Sequence, residues 1–257
     1  MLLAIDVGNT NIVLGVYRDQ ELIRTFRIQT RTGRTADETG ALLRELYRHG
    51  GIDVATEGAI ISCVVPDQLP LLIETCKSTF QCDPLVVGPG VKTGIPILAD
   101  NPKEVGADRI VNSVAAFARV GGPCVVVDFG TATTFDCVSA KGEYLGGVIA
   151  PGYQISAEAL YRNASKLPRV RATKPPRVIG KNTVHSMQSG LYYGYVSLVD
   201  GTVDRILEEF PSDPRVTCLA TGGLAETIAE SSDCIDQVVP DLTLEGLRIL
   251  YDLNTTP

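Results

Sequence analysis

The 257-residue sequence predicts an α/β fold made of two similar halves. Short β-rich runs alternate with helical patterns along the whole chain. An apolar run ending in Asp-x-Gly occurs twice, as Leu2-Leu-Ala-Ile-Asp6-Val-Gly8-Asn9-Thr10-Asn11 and as Cys124-Val-Val-Val-Asp128-Phe-Gly130-Thr131-Ala-Thr133, about half the chain apart. After each copy comes a second strand and a turn. A duplicated unit is more informative than either motif alone. The halves divide near Gly121-Gly122, giving domains 1–120 and 121–257.

The first half opens as a meander, Leu2 to Val7, Ile12 to Tyr17 and Glu21 to Ile28, with a polar turn at Arg18-Asp19-Gln20. Thr35-Ala-Asp-Glu38 reads as a capping box. It opens a helix with Leu42, Leu43, Leu46 and Tyr47 as its apolar stripe and Gly50 at its end. Ala59 to Val65 is a buried strand, then a helix near Leu69 to Cys76 and a strand near Leu85 to Val87. Asn101-Pro102 reads as N-cap and first residue of a helix burying Val105, Ile110, Val111, Val114 and Ala118 and ending at Gly121-Gly122. In the second half, Lys141-Gly142 is a turn and Val148 to Gly152 ends a strand. A helix runs from about Thr183 to Phe210. Strand Val216 to Ala220 leads to the turn Thr221-Gly222-Gly223, a helix, a short strand near Val238 and a last helix from about Leu244.

Composition narrows the function. Thirty acidic residues against 23 Lys and Arg give a net charge of −7. With no basic block, nucleic acid and anionic membranes are poor partners. No apolar run nears the roughly 18 residues of a membrane span. Asp6 comes too early for a signal peptide, so the expectation is a cytoplasmic protein. Seven cysteines, an odd number without C-x-x-C spacing, read as reduced thiols, several of them buried as small hydrophobes. With only His49 and His185, a His-rich zinc site is not supported.

In Asp6-x-Gly8-Asn9-Thr10-Asn11, amide and hydroxyl donors for phosphate oxygens lie beside a carboxylate suited to Mg²⁺. One such copy also reads as an ordinary hairpin turn. Two copies, with Thr221-Gly-Gly223 as a third glycine turn, favour nucleotide chemistry. The P-loop, the dinucleotide-binding G-x-G-x-x-G and the protein-kinase signatures are absent from the sequence.

The paired turns resemble the superfamily of acetate and sugar kinases, Hsp70 and actin, which implies two similar actin-like, ribonuclease H-like domains, each a mixed sheet flanked by helices. Asp6-x-Gly-Asn-Thr-Asn11, Gly106-Ala-Asp-Arg109, Asp128-Phe-Gly-Thr-Ala-Thr-Thr134, Gly146-Gly-Val-Ile-Ala-Pro-Gly152, Gly180-Lys-Asn-Thr183 and Thr221-Gly-Gly223 stand in the order found in type III pantothenate kinases. This resemblance covers nearly the whole chain. It implies phosphorylation of the primary alcohol of pantothenate by ATP, opening coenzyme A biosynthesis. It also implies a requirement for Mg²⁺ and for K⁺ or NH₄⁺, and a homodimer with a shared active site.

Residue by residue, Asp6, Val7, Gly8, Asn9, Thr10, Asn11, Ile12 and Val13 look like the ATP phosphate loop, with Asp6 also holding Mg²⁺. Thr131 resembles a second ATP contact, so that two Asp-x-Gly turns would hold one triphosphate. Asp128 resembles the ligand of the monovalent cation. Gly106, Ala107, Asp108 and Arg109 are similar to the substrate motif, with Asp108 as proton acceptor. Arg109 offers a fork suited to the pantothenate carboxylate. Thr183 resembles the pantothenate-contacting Thr that the family supplies from the neighbouring subunit; a helix N-cap is its other reading. Gly190-x-x-x-Gly194 reads either as a dimer contact or as close internal packing. Some relatives carry Lys-Tyr where this chain has Leu98-Ala99. A kinase of another small hydroxylated acid and a nucleotide-binding regulator are the competing readings.

Overall fold

A computed structural model describes residues 1–52, 56–210 and 215–255. Two compact units emerge, Met1–Pro96 with Asp100–Ala115 and Leu242–Pro257, and Ile97–Ala99 with Ala116–Asp241.

The first unit holds a five-stranded sheet. Its strands are β1 (Leu2–Val7), β2 (Asn11–Arg18), β3 (Glu21–Gln29), β4 (Gly58–Cys63) and β5 (Leu85–Val86), in the order β3-β2-β1-β4-β5. β1 pairs with β2 antiparallel and with β4 in parallel. Alternation sorts the side chains. Leu3, Ile5, Val7, Ile12, Leu14, Val16 and Ile61 form one buried face with Leu43 and Tyr47 of α1 (Ala36–His49) and Leu72, Cys76 and Phe80 of α2 (Leu69–Phe80). The capping box forms as predicted. Glu38 N–H donates to Thr35 Oγ1 at 3.2 Å, and Thr35 N–H donates to Glu38 Oε2 at 2.8 Å.

The second unit repeats this plan with β6 (Cys124–Phe129), β7 (Ala132–Val138), β8 (Tyr144–Pro151), β9 (Thr217–Gly222) and β10 (Gln237–Val238) in the order β8-β7-β6-β9-β10. β6 pairs with β7 antiparallel and with β9 in parallel, as β1 does with β2 and β4. Val125, Val127, Phe129 and Phe135 pack against Tyr153 and Ala157 of α4 (Tyr153–Asn163), Leu191, Tyr195 and Val199 of α5 (Thr183–Glu209), and Ile228 of α6 (Ala225–Ala229).

Apart from shifts of an element's ends, such as β4 stopping at Cys63 rather than Val65, the structure differs from the sequence reading at four places. Asn101-Pro102 caps only a 3₁₀ turn, Pro102–Glu104; Val105 is extended, and α3 starts at Ala107 and runs to Val120. Ala118 is exposed rather than buried. α4 has no counterpart in the sequence reading. The last helix, α7 (Leu242–Thr255), joins the first unit rather than the second half, so the units do not divide at residue 120/121. The reason is packing. A side chain at Gly15 of β2 would meet Leu244 at 2.9 Å, and Thr243 Oγ1 donates to Asn112 Oδ1 at 2.7 Å. Among the described residues no helix is long and apolar enough to cross a membrane.

Candidate active site

The predicted residues divide between the two units. In the first, Asp6 is the half-buried penultimate residue of β1, facing Val13 on β2 and Ser62 on β4 in the pairing register. The turn that follows closes on itself: Gly8 N–H donates to Asn11 O at 3.0 Å, and Thr30 Oγ1 donates to Gly8 O at 2.7 Å. The glycine N–H is therefore spent on the turn, and the exposed tip residues are Asn9 and Thr10. Val7 and Ile12 turn their side chains into the core, so any ligand contact of theirs is through the backbone. The charge of Asp6 reaches Cys63, whose thiol is pushed up chiefly by burial.

Asp108 and Arg109 occupy the first turn of α3. Asp108 Oδ1 accepts Arg109 N–H at 2.8 Å. Gly106 makes room for this: a Cβ there would lie 2.6 Å from Asp108 Oδ1. Burial raises the Asp108 carboxyl above its ordinary value, outweighing the Arg109 backbone N–H, the Arg109 charge and its own N–H, which all pull down. A carboxylate moved this way is a stronger base than a free aspartate. Its neighbour on the helix, Arg109, is a half-buried guanidinium.

In the second unit, Asp128 repeats the position of Asp6, facing Thr134 and Thr221 in register. Gly130 N–H donates to Ala132 O at 3.1 Å, so this turn is a residue shorter, with Thr131 exposed at its tip. The Thr221-Gly-Gly223 turn leans on Asp128. Gly222 has φ +90°, and a Cβ there would lie 2.6 Å from Asp128 Oδ1 and 2.7 Å from Phe129 N and O. That dependence of one motif on the other is not legible in the sequence.

Thr183 opens α5 but does not cap it. Asn182 does so, its Oδ1 accepting His185 N–H at 2.8 Å, and Thr183 is left exposed. The capping reading of Thr183 thus passes to its neighbour. Gly190 and Gly194 are exposed, and a Cβ at either would meet nothing within 4 Å. Close internal packing does not explain them. One polar residue escaped the sequence reading. Ser62, beside Asp6, is fully buried, and its hydroxyl has no hydrogen-bond partner among the described residues. The signal was available as a single hydroxyl in an otherwise apolar strand that ends level with Asp6.

Among the described residues no three His, Cys, Asp or Glu side chains gather as a metal cage. Mg²⁺ carried by nucleotide phosphates needs only one or two carboxylates.

Comparison with known proteins gives a consistent result. Residues 2–205 match the family model for type III pantothenate kinase. Curated proteins of that name from Syntrophotalea carbinolica and Myxococcus xanthus are 58% and 57% identical over 255 residues, covering 99% of each chain. Among solved structures, a protein from Campylobacter jejuni assigned to the Baf family of transcriptional activators has a TM-score of 0.61 at 16% identity, covering 99% of this chain and 100% of that one. The activator of 2-hydroxyisocaproyl-CoA dehydratase from Clostridium difficile, solved with ADPNP, has a TM-score of 0.56 at 12% identity, covering 97% and 93%. At such identities these structures speak for the fold alone.

Proposed function

The chain belongs to the type III pantothenate kinase family, and we propose how its residues carry out the ATP-dependent phosphorylation of pantothenate that opens coenzyme A biosynthesis. Asp108 is the general base. It accepts the proton of the primary alcohol as the alcohol oxygen bonds to the γ-phosphorus and the bridging P–O bond breaks, leaving ADP. The transition state of such transfers is loose in most analyses, so positioning and charge stabilisation carry most of the rate. The observation that carries this assignment is a carboxyl raised by burial at the first turn of α3, next to the cation Arg109. Arg109 takes the pantothenate carboxylate. Gly106 and Ala107 complete that contact.

Mg-ATP binds the turn from Asp6 to Val13 and the turn carrying Thr131. Asp6 would hold Mg²⁺, a reading supported by its strand-end position and by the orphaned Ser62 hydroxyl in the adjacent register. Bound there, the ion would supply positive charge to the transferring phosphate. K⁺ or NH₄⁺ would be held at Asp128, whose carboxylate stands near the end of β6 beside Thr221 as that of Asp6 stands near the end of β1 beside Ser62. The protein acts as a homodimer in which Thr183 reaches the partner's pantothenate; the exposure of Thr183 and the open stripe at Gly190 and Gly194 support this.

Asp108→Asn tests the base. It should keep ATP binding and lose most turnover; a near-wild-type rate would overturn the assignment. Mixing Asp108→Asn with a Thr183→Ala chain tests the shared site. Verified heterodimers should recover activity above either parent, and no recovery would mean a site complete within one subunit.

A further inference from the structure

We infer that Ser62 positions the Mg²⁺ site, its buried hydroxyl serving the Asp6 carboxylate and a water of the metal it holds. The inference rests on the reading of Asp6 as the Mg²⁺ residue. Ser62 is the fifth residue of β4 (Gly58–Cys63), and its register partner on β1 is Asp6. Paired residues of a parallel ladder project from the same face of the sheet. The flanking residues Ile61 and Cys63 belong to the opposite face, in or against the cluster of Leu3, Ile5 and Val7. Ser62 and Asp6 therefore stand side by side on one face.

The burial of Ser62 makes the position unusual. Its side chain is 0% exposed, and Oγ lacks a hydrogen-bond partner among the described residues. A buried hydroxyl left unpaired is costly, and an apolar residue of similar size would avoid that cost. Alanine would serve the strand as Ala59 and the isoleucines do. An unmade bond next to a metal-binding carboxylate points to a partner that arrives with the ligand. The second unit has a counterpart. Thr221 is the parallel-strand neighbour of Asp128, as Ser62 is of Asp6, although its hydroxyl donates to Pro240 O at 3.5 Å. Each strand-end carboxylate thus has a hydroxyl at its side. A hydroxyl donating to a ligating carboxylate, or to a metal-bound water, fixes the orientation of the first-shell group. Loss of such a partner typically lowers metal affinity about 10–100-fold.

The test is nucleotide binding without turnover. ADP affinity is titrated calorimetrically with and without Mg²⁺ for wild type, Ser62→Ala, Ser62→Cys and Asp6→Asn, and each unliganded protein is melted. Removing an orphaned hydroxyl should leave the melting temperature of unliganded Ser62→Ala unchanged or higher. The same variant should need about tenfold or more Mg²⁺ to reach half of the metal-dependent gain in ADP affinity. Metal-free ADP affinity should stay as in wild type. Ser62→Cys keeps the shape with a weak donor and should fall between the two. A Ser62→Ala and a Ser62→Cys protein with the wild-type Mg²⁺ requirement would overturn the inference, provided Asp6→Asn loses it. An unchanged requirement in Asp6→Asn would instead overturn the reading on which it rests.

Discussion

Gly222→Ala places one methyl group where β9 meets Asp128. Two penalties add. The backbone has φ +90°, and holding a residue with a Cβ in such a region costs about 1–3 kcal/mol. The new Cβ would also stand 2.6 Å from Asp128 Oδ1 and 2.7 Å from Phe129 N and O, and overpacking of this kind costs about 1–3 kcal/mol more. Two of the three atoms are backbone of the central strand β6, which cannot swing aside as a flexible side chain would. At about 2–4 °C per kcal/mol for a chain of this size, the melting temperature should fall on the order of 5–20 °C. The change should also displace the Asp128 carboxylate and raise the K⁺ concentration for half-maximal activity. Gly223→Ala is the control inside the same motif, because a Cβ at Gly223 meets nothing within 4 Å. Calorimetric melting and a K⁺ titration of both variants decide the matter. Equal melting temperatures for the two variants, with unchanged K⁺ dependence, would refute the reasoning.

Asp108→Asn should raise the melting temperature at neutral pH while losing most turnover. The folded Asp108 carboxyl titrates above its unfolded value because of burial. Between those two values the native state holds more protons than the unfolded one, so stability falls as pH rises through that window. The variant's advantage should therefore vanish on acidification below the ordinary carboxylate range, as followed by melting curves across pH. The wild-type rate should lose its acid limb above the pH expected for a free aspartate. Arg109→Lys keeps the charge but loses the fork, and should raise the KM for pantothenate with a smaller effect on that for ATP, as steady-state kinetics will record. Gly194→Ala should strengthen the exposed stretch of α5 by about 0.5–1 kcal/mol within a subunit. If that stripe is the dimer contact, the same methyl should weaken association in sedimentation experiments, and unchanged association would remove α5 from the interface.

Legibility in the sequence followed the range of the interactions. The β1–β3 meander, the Thr35–Glu38 capping box and the turn at Lys141-Gly142 rest on neighbours in sequence, and all form as read. So does the repeat itself, each Asp-x-Gly strand leading through a turn into an antiparallel second strand. The Asn101-Pro102 signal was real but served a single 3₁₀ turn, because extended Val105 precedes the start of α3 at Gly106-Ala107. α4 escaped because Gly152 gives it no side-chain cap, and its exposed Ile155, Leu160 and Tyr161 blur the apolar stripe. The return of α7 to the first sheet depends on Gly15 meeting Leu244, a contact across most of the chain. At the site, residue types were legible, whereas burial was not. Neither the raised Asp108 carboxyl nor the stranded Ser62 hydroxyl can be read without the surrounding packing.

The most direct test is ADP release from Mg-ATP by the purified protein, with and without pantothenate, in potassium and in sodium buffer. Release that requires pantothenate and is faster in potassium is the predicted result. ADP release that proceeds equally without pantothenate would contradict it.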